Sequence, residues 1–145
     1  MGCKYGGGKE AVKKMKLKIR GSLLIIQGYK FILVGILNAV IGLGIIYSTY
    51  NLLGLNYKLA NVLGYGCGIV NSFIWNRRWT FRSKKNPKPQ ILLFFLMFGV
   101  SYGLNLLVTI ICVEKLGLIP NLAQLAGIFC YTVSNFFGNK FVTFR

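Results

Sequence analysis

The chain contains no histidine and no aspartate, and its only two acidic residues are Glu10 and Glu114. General acid–base catalysis, carboxylate–imidazole metal sites and Ser-His-Asp arrangements need side chains that this sequence does not supply. Proton-coupled transport through a carboxylate at mid-membrane depth is disfavoured for the same reason. The four cysteines have no metal-binding spacing. We therefore predict that the chain is not an enzyme and that it uses no metal or other cofactor.

Charged residues are also missing from four long apolar stretches. These stretches are Phe31–Leu53, Leu59–Trp75, Ile91–Val113 and Leu122–Gly138. A small soluble bundle would need polar helix faces, and these stretches have none. At ~1.5 Å per residue even the shorter pair reaches about 26 Å, which is close to the thickness of a bilayer core. The sequence therefore predicts an all-α membrane protein with four transmembrane helices.

The basic residues are concentrated between the apolar stretches in a pattern that indicates topology. The formal net charge is +16, which by itself would suit a nucleic-acid partner. Sixteen of the 18 Lys and Arg residues, however, lie before the first stretch, between the second and third, or after the fourth. Lys58 and Lys115 alone lie in the two other loops. The positive-inside rule then places both termini in the cytoplasm and makes the chain a multi-pass protein of the cytoplasmic membrane, with no nucleic-acid partner.

The second half of the chain repeats the first at an offset of 63 residues. Val70–Arg82 aligns without a gap with Val133–Arg145, and both contain Asn, a basic residue, two further positions and Thr-Phe-Arg. Upstream, Leu-Gly-Leu, a glycine and a cysteine also recur at this offset. Duplicated halves are common in membrane transporters. Because each half begins and ends in the cytoplasm, we predict two parallel two-helix repeats.

These features divide the chain into a tail and a membrane domain. Residues 1–28 are predicted to be a basic cytoplasmic tail, partly disordered or lying on the anionic inner leaflet. Residues 29–145 form the four-helix domain, with repeat one at 29–82, a linker at 83–90 and repeat two at 91–145. Pro87 and Pro89 keep the linker extended.

Neutral polar residues within the apolar stretches are the first set of candidate functional residues. The set comprises Asn38, Asn71, Asn105, Gln124 and Asn135, accompanied by Ser72 and Ser134. Polar groups in hydrocarbon need partners, so these side chains must face other helices or a polar cavity. They could form interhelical hydrogen bonds worth about 0.6–2 kcal/mol each, or they could line a path for a polar head group.

The basic motif at the end of each half is the second set. It comprises Asn76, Arg77, Arg78, Arg82, Asn139, Lys140 and Arg145. Cations at helix carboxyl ends are favoured by the helix dipole and by anionic lipid without any ligand. Positive charge alone would not require the same Asn-basic-x-x-Thr-Phe-Arg pattern twice. Guanidinium and amide donors suit a phosphate or pyrophosphate head group, and we predict that this set binds one.

Small residues spaced four apart indicate helix contacts. Such pairs are Gly64/Gly68, Gly99/Gly103 and Ala123/Gly127. Four short spans leave little room for a sugar path within one copy, so we also predict a homo-oligomer, most simply a dimer.

The motifs together resemble the GtrA-like family. The resemblance rests on Phe31–Asn38, Asn71–Arg82 and Asn135–Phe144, and it covers about Tyr29 to Arg145. It implies a four-span fold and a role in moving polyprenyl-phosphate-linked sugars across the cytoplasmic membrane for cell-surface polysaccharide or glycoconjugate synthesis. Related domains are also fused to polyprenyl-phosphate glycosyltransferases. Gly138 departs from the aliphatic residue usual in such a span, and it is expected to loosen the end of the fourth helix.

Two functional hypotheses follow. In the first, the protein translocates a polyprenyl-phosphate-linked sugar, with membrane lipid and that sugar lipid as its partners. In the second, it is a non-catalytic membrane subunit that anchors or orients a polyprenyl-phosphate glycosyltransferase. Polar residues throughout the depth of the apolar stretches favour translocation, whereas a polar set confined to the rim would favour anchoring.

Overall fold

The protein is built from four α-helices that pack as two antiparallel pairs. The computed structural model describes the backbone of residues 6–145 and the side chains of residue 10 and residues 12–145. The helices are α1 (Gly6–Asn51), α2 (Tyr57–Trp75), α3 (Pro87–Glu114) and α4 (Pro120–Gly138), and this part of the chain contains no β-strand. The predicted all-helical class with four helices is confirmed. The first five residues of the predicted tail lie outside the described residues.

Helices α1 and α3 are long and apolar enough to cross a membrane. The qualifying segments are Val12–Asn51 and Pro87–Glu114. Helices α2 and α4 have 19 residues each, which corresponds to about 28 Å of helix. Helix α1 runs unbroken from Gly6, so no break in the backbone separates the predicted tail from the first apolar stretch.

Polar caps and glycine turns set where the helices begin and end. The Asn56 side chain caps α2 by accepting a hydrogen bond from the backbone N–H of Leu59 at 2.9 Å, and Asn86 caps α3 in a similar way. Gly54 and Gly117 both have φ of +64° in the loops that join α1 to α2 and α3 to α4. Only glycine adopts this conformation without strain, which explains why the Leu-Gly-Leu sequence occurs in both loops.

We call α1 with α2 hairpin 1, and α3 with α4 hairpin 2. The backbones approach closely within each hairpin and sparsely between hairpins. A Cβ built on Gly64 would lie 2.7 Å from the carbonyl oxygen of Gly42 on α1. In hairpin 2 a Cβ on Gly127 would lie 3.0 Å from the carbonyl oxygen of Asn105. Each hairpin is therefore closed by a glycine that admits the facing helix.

The other predicted small-residue contacts differ in outcome. Ala123 is completely buried, and a Cβ on Gly68 would lie 3.6 Å from the Asn38 carbonyl oxygen. Gly99 and Gly103, in contrast, face no neighbouring atom within 4 Å of a built Cβ. The α3 pair therefore makes no helix contact within the described part of this chain.

Gly138 has a packing role at the end of α4. A Cβ at this position would lie 2.7 Å from the sulfur of Met97, and α4 continues through Gly138 without a break. The missing side chain makes room for the Met97 thioether, so the expected loosening does not occur.

Candidate functional site

Both copies of the basic motif fold as short π-helical segments. Segment π1 (Asn76–Thr80) continues α2, and segment π2 (Asn139–Thr143) continues α4. The backbone N–H of Phe81 donates to the Asn76 carbonyl at 2.8 Å, and the N–H of Phe144 donates to the Asn139 carbonyl at the same distance. A π turn holds one residue more than an α turn and is frequent at functional sites. The end of the bundle at which both segments lie is called the basic end below.

Asn76 and Asn139 point into the protein and not toward the surrounding medium. Asn139 is fully buried and Asn76 is 2% exposed. The Asn139 amide group donates to the Asn135 side-chain oxygen at 2.7 Å and to the Asn135 carbonyl at 2.9 Å. The Asn76 amide group donates to the Ser72 hydroxyl at 3.2 Å. Their donors are therefore already engaged within their own helices.

Four oxygen atoms of the two motifs have no hydrogen-bond partner among the described residues. They are the side-chain oxygens of Asn76, Thr80, Asn139 and Thr143. All four residues are at most 3% exposed. Buried polar groups are rarely left without a partner in folded proteins, so four of them in two equivalent pairs call for an explanation.

Six phenylalanines fill the space between the hairpins at the basic end, and we call this cluster the plug. Its members are Phe31, Phe73, Phe81, Phe94, Phe136 and Phe144. Phe81 and Phe144 stack at its centre, with ring centroids 5.2 Å apart and an angle of 18° between the planes. Offset and tilted aromatic pairs at such distances are favourable.

Every contact on one side of the plug has a counterpart 63 residues along the chain. Phe31 lies 5.6 Å from Phe136, and Phe94 lies 5.5 Å from Phe73. The Phe31–Phe81 and Phe94–Phe144 distances are both 6.3 Å. The Phe81–Phe136 and Phe144–Phe73 distances are 5.8 and 5.9 Å. The plug therefore joins the hairpins through an approximately two-fold exchange of contacts.

Two hydrogen bonds, which we call the clamps, cross between the hairpins beside the plug. The Arg77 Nε group donates to the Gln90 side-chain oxygen at 2.9 Å, and the Lys140 ammonium group donates to the Gln27 side-chain oxygen at 2.5 Å. Both pairs obey the same 63-residue offset. Arg77 also donates to the Lys85 carbonyl at 2.6 Å, which fixes the linker at 83–90.

The remaining basic residues of the motifs are free to meet a ligand. Arg78, Arg82 and Arg145 have exposed side chains, and Arg82 adopts a φ of +51°, which is uncommon for a residue with a Cβ. Lys140 is half-buried; burial, and secondarily the neighbouring Arg20 charge, lower the pKa of its ammonium group. Of the seven predicted phosphate-binding residues, three are thus exposed, two form clamps and two are buried.

A cleft of about 690 Å³ lies between the hairpins. Along α1 it extends from Phe31 to Ile46, or about 22 Å. Phe31 and Phe94 of the plug form its floor at the basic end, and the walls are mostly apolar. The polar side chains that line it are Asn38, Ser72, Asn76, Tyr131, Thr132 and Asn135.

The predicted intramembrane polar residues divide into two groups. Asn38 and Asn135 line the cleft, and Asn71 donates to the Asn38 side-chain oxygen at 2.6 Å. Asn105 instead packs against Gly127 inside hairpin 2, and Gln124 is exposed on α4. The structure therefore brings three of the five residues to the space between the hairpins.

Several residues of this region had not been singled out in the sequence. The two clamp glutamines, Gln27 and Gln90, are one example, and Tyr131 is another; the Asn135 amide donates to the Tyr131 hydroxyl at 3.2 Å. Extending the 63-residue alignment upstream would have paired the two glutamines, and also Phe31 with Phe94. No sequence signal marks Tyr131. No group of three or more His, Cys, Asp or Glu side chains among the described residues could hold a metal ion.

Two helical hairpins, a mostly apolar cleft with a few polar groups, and a basic end define a helical membrane protein with a site between its halves. The model of the GtrA/DPMS transmembrane-domain family matches residues 30–144. The chain belongs to this family, and the resemblance indicated by the motifs is confirmed.

Individual relatives agree with this assignment. The chain is 27% identical over 137 residues to the uncharacterized membrane protein YngA of Bacillus subtilis, covering 94% of this chain and 86% of that protein. It is 26% identical over 121 residues to the bactoprenol-linked glucose translocase of Shigella flexneri, covering 83% of this chain and 97% of that protein. A second Bacillus subtilis membrane protein, YwcD, is 22% identical over 119 residues.

Proposed function

We propose that this protein moves a polyprenyl-phosphate-linked sugar across the cytoplasmic membrane for cell-surface polysaccharide or glycoconjugate synthesis. The observation that carries this proposal is the cleft between the hairpins. Its apolar walls suit the lipid-facing parts of such a molecule, and its polar side chains can hydrogen-bond sugar hydroxyls. The similarity to a bactoprenol-linked glucose translocase supports the same substrate class. The activity requires no covalent chemistry from the protein.

The exposed arginines are the proposed contact for the phosphate. Arg78, Arg82 and Arg145 can each offer paired N–H donors to a phosphate at the membrane interface. Arg77 and Lys140 contribute positive charge to the same end of the bundle while their clamps hold the hairpins together. The phosphate then stays at the basic end while the sugar enters the space between the hairpins.

We further propose that the basic end is cytoplasmic and that the halves are parallel repeats. The distribution of Lys and Arg supports this orientation, because 16 of 18 lie in segments that would face the cytoplasm. The matched contacts of the plug and clamps support repeats related by an axis along the membrane normal. Residues 1–28 would then be a cytoplasmic tail and residues 29–145 the membrane domain.

Filling the cleft tests the proposed transport. Gly35 lines the cleft and has no neighbouring atom within 4 Å of a built Cβ, so Gly35→Leu should occupy the cleft without disturbing the helices. Gly44 on the same helix is equally open but does not line the cleft. Gly44→Leu is therefore the matched control.

We expect Gly35→Leu to reduce movement of polyprenyl-phosphate glucose about tenfold or more in proteoliposomes, and Gly44→Leu to leave it near the wild-type rate. Abundance and thermal stability in detergent should match for the two variants. Equal transport by both would show that the sugar lipid does not use the cleft.

Anchoring of a glycosyltransferase is the second candidate function. The amino-terminal part of α1 favours it, because this part extends beyond the clamp residue Gln27 as a helix with an exposed cationic surface. The cations are Lys13, Lys14, Lys16, Lys18 and Arg20. If wild-type protein moves no sugar lipid but co-purifies with a membrane glycosyltransferase through this segment, anchoring replaces transport.

A further inference from the structure

The four unpartnered oxygens of the motifs form two equivalent pairs at the basic end of the cleft. Asn76 pairs with Thr80 in π1, and Asn139 pairs with Thr143 in π2. In each segment the threonine directly precedes a plug phenylalanine. Asn76 also lines the cleft. The pairs thus lie between the cleft and the basic end, beside the plug that closes the passage.

The chemistry of the free atoms identifies the kind of group that they can bind. An amide oxygen accepts hydrogen bonds only, and a threonine hydroxyl can accept or donate. The amide donors of Asn76 and Asn139 are already engaged within their own helices. The oxygens of an ionised phosphate also only accept hydrogen bonds, so a phosphate cannot satisfy the amide oxygens. Sugar hydroxyls can satisfy them, because every hydroxyl brings a donor.

The contacts that close the plug can separate without unfolding either hairpin. Backbone approach is close within the hairpins and sparse between them. At the basic end the hairpins are joined by phenylalanine side chains and by the two clamps, Arg77–Gln90 and Lys140–Gln27. Rigid-body movement of one repeat against the other is a common mechanism in membrane transporters.

We propose that the plug is a gate, and that the two Asn–Thr pairs beside it are acceptor sites for the sugar hydroxyls of a lipid-linked sugar. This inference rests on the proposed function and specifies which part of the substrate is recognised there. With the gate closed the four oxygens lack partners, which raises the free energy of the closed state. With the gate open the oxygens meet hydroxyls, so passage of the sugar restores the missing hydrogen bonds.

Replacing both threonines by valine tests the inference. Valine has nearly the shape of threonine but lacks the hydroxyl, so the double variant Thr80→Val/Thr143→Val removes two of the four oxygens while keeping the packing. The matched control is Thr109→Val. Thr109 is a third buried threonine with an unpartnered hydroxyl, and it lies at the α3–α4 crossing near Gly127, away from the plug.

Movement of polyprenyl-phosphate glucose is measured in proteoliposomes, and affinities for that lipid and for polyprenyl phosphate without sugar are measured on the same preparations. We expect the double variant to bind the glucose lipid about tenfold more weakly, to move it correspondingly more slowly, and to bind the sugar-free lipid as wild type does. Thr109→Val should match wild type in all three measurements. All the variants should be at least as stable as wild type, because each loses unpartnered buried hydroxyls.

The remaining outcomes each decide a different point. Wild-type affinity for the glucose lipid in the double variant would overturn the inference, as would an equal loss for both lipids, which would indicate altered gating or phosphate binding. If wild-type protein moves no glucose lipid, the proposed function fails, and the inference falls with it.

Discussion

At the scale of single residues, two glycines decide how closely the helices of each hairpin approach. Gly64 and Gly127 are both buried, and each faces a backbone carbonyl of the neighbouring helix. Inside a membrane the hydrophobic effect does not drive helices together, so close backbone packing contributes more of the association energy. The glycines at 66 and 103 have open space around them and carry no such constraint.

Gly64→Ala should destabilise hairpin 1, because the new methyl group would lie 2.7 Å from the Gly42 carbonyl oxygen, which is part of a helix backbone and cannot move aside cheaply. We expect a loss of about 1–3 kcal/mol, typical of overpacking. Gly66→Ala, two residues away and unobstructed, is the control. The measurement is reversible unfolding in mixed micelles, and equal stability of the two variants would argue against the close crossing.

At the scale of elements, the π segments determine which side chains reach the plug. The residues that follow π1 and π2 are the stacked Phe81 and Phe144. A regular α-helix advances 100° per residue, so the extra residue of a π turn reorients everything beyond it. Arg82, directly after π1, ends the segment in a left-handed conformation that turns the chain into the linker.

Deleting Arg78 should therefore do more harm than replacing it. Arg78 is exposed, so Arg78→Ala should leave stability within about 0.5 kcal/mol of wild type. Removing the residue converts the π turn to an α turn and rotates Phe81 by about 100° away from Phe144. We expect the deletion variant to show a lower melting temperature and lower abundance in the membrane, and a deletion variant as stable as Arg78→Ala would contradict this role for π1.

At the scale of the whole molecule, two hairpins meet at the basic end and leave a cleft toward the opposite end. The orientation of this arrangement in the membrane decides which side the gate faces. The linker carries Lys84, Lys85 and Lys88, whereas the loop after α3 carries Lys115 as its only cation. The charge difference predicts that the linker faces the cytoplasm.

Cysteine labelling tests this orientation in a chain whose four native cysteines are replaced by alanine. A cysteine in place of Lys84 should react with a membrane-impermeant maleimide only after the membrane is opened. A cysteine in place of Lys115 should react in intact cells. Both side chains are exposed, so accessibility to the reagent reports the side of the membrane. The reverse pattern would invert the topology and place the gate at the outer surface.

Assembly belongs to the same scale. Gly99 and Gly103 present an unobstructed small-residue face on α3, and this is compatible with the predicted homo-oligomer. That prediction stays open to cross-linking or native mass spectrometry in mild detergent.

The sequence by itself determined the helical class, the apolar stretches, the glycine turns and the matched motifs, because each of these depends on local composition or on spacing along one chain. The tertiary structure alone decided which polar groups meet. It carried Asn38, Asn71 and Asn135 to the space between the hairpins and left Asn105 and Gln124 outside it. Helices that are apolar on all sides have no periodic pattern to show which face is inward, so sequence does not reveal their rotation.

The same limit applies to the basic motif. From sequence, Arg77 and Lys140 were equivalent to the other cations at the helix ends, all available to a phosphate. In the structure each reaches across to a glutamine of the other hairpin, while Arg78 and Arg82 stay exposed. This division depends on which helix lies opposite each guanidinium or ammonium group. Only the packing of one hairpin against the other decides that, because the partners are distant in sequence.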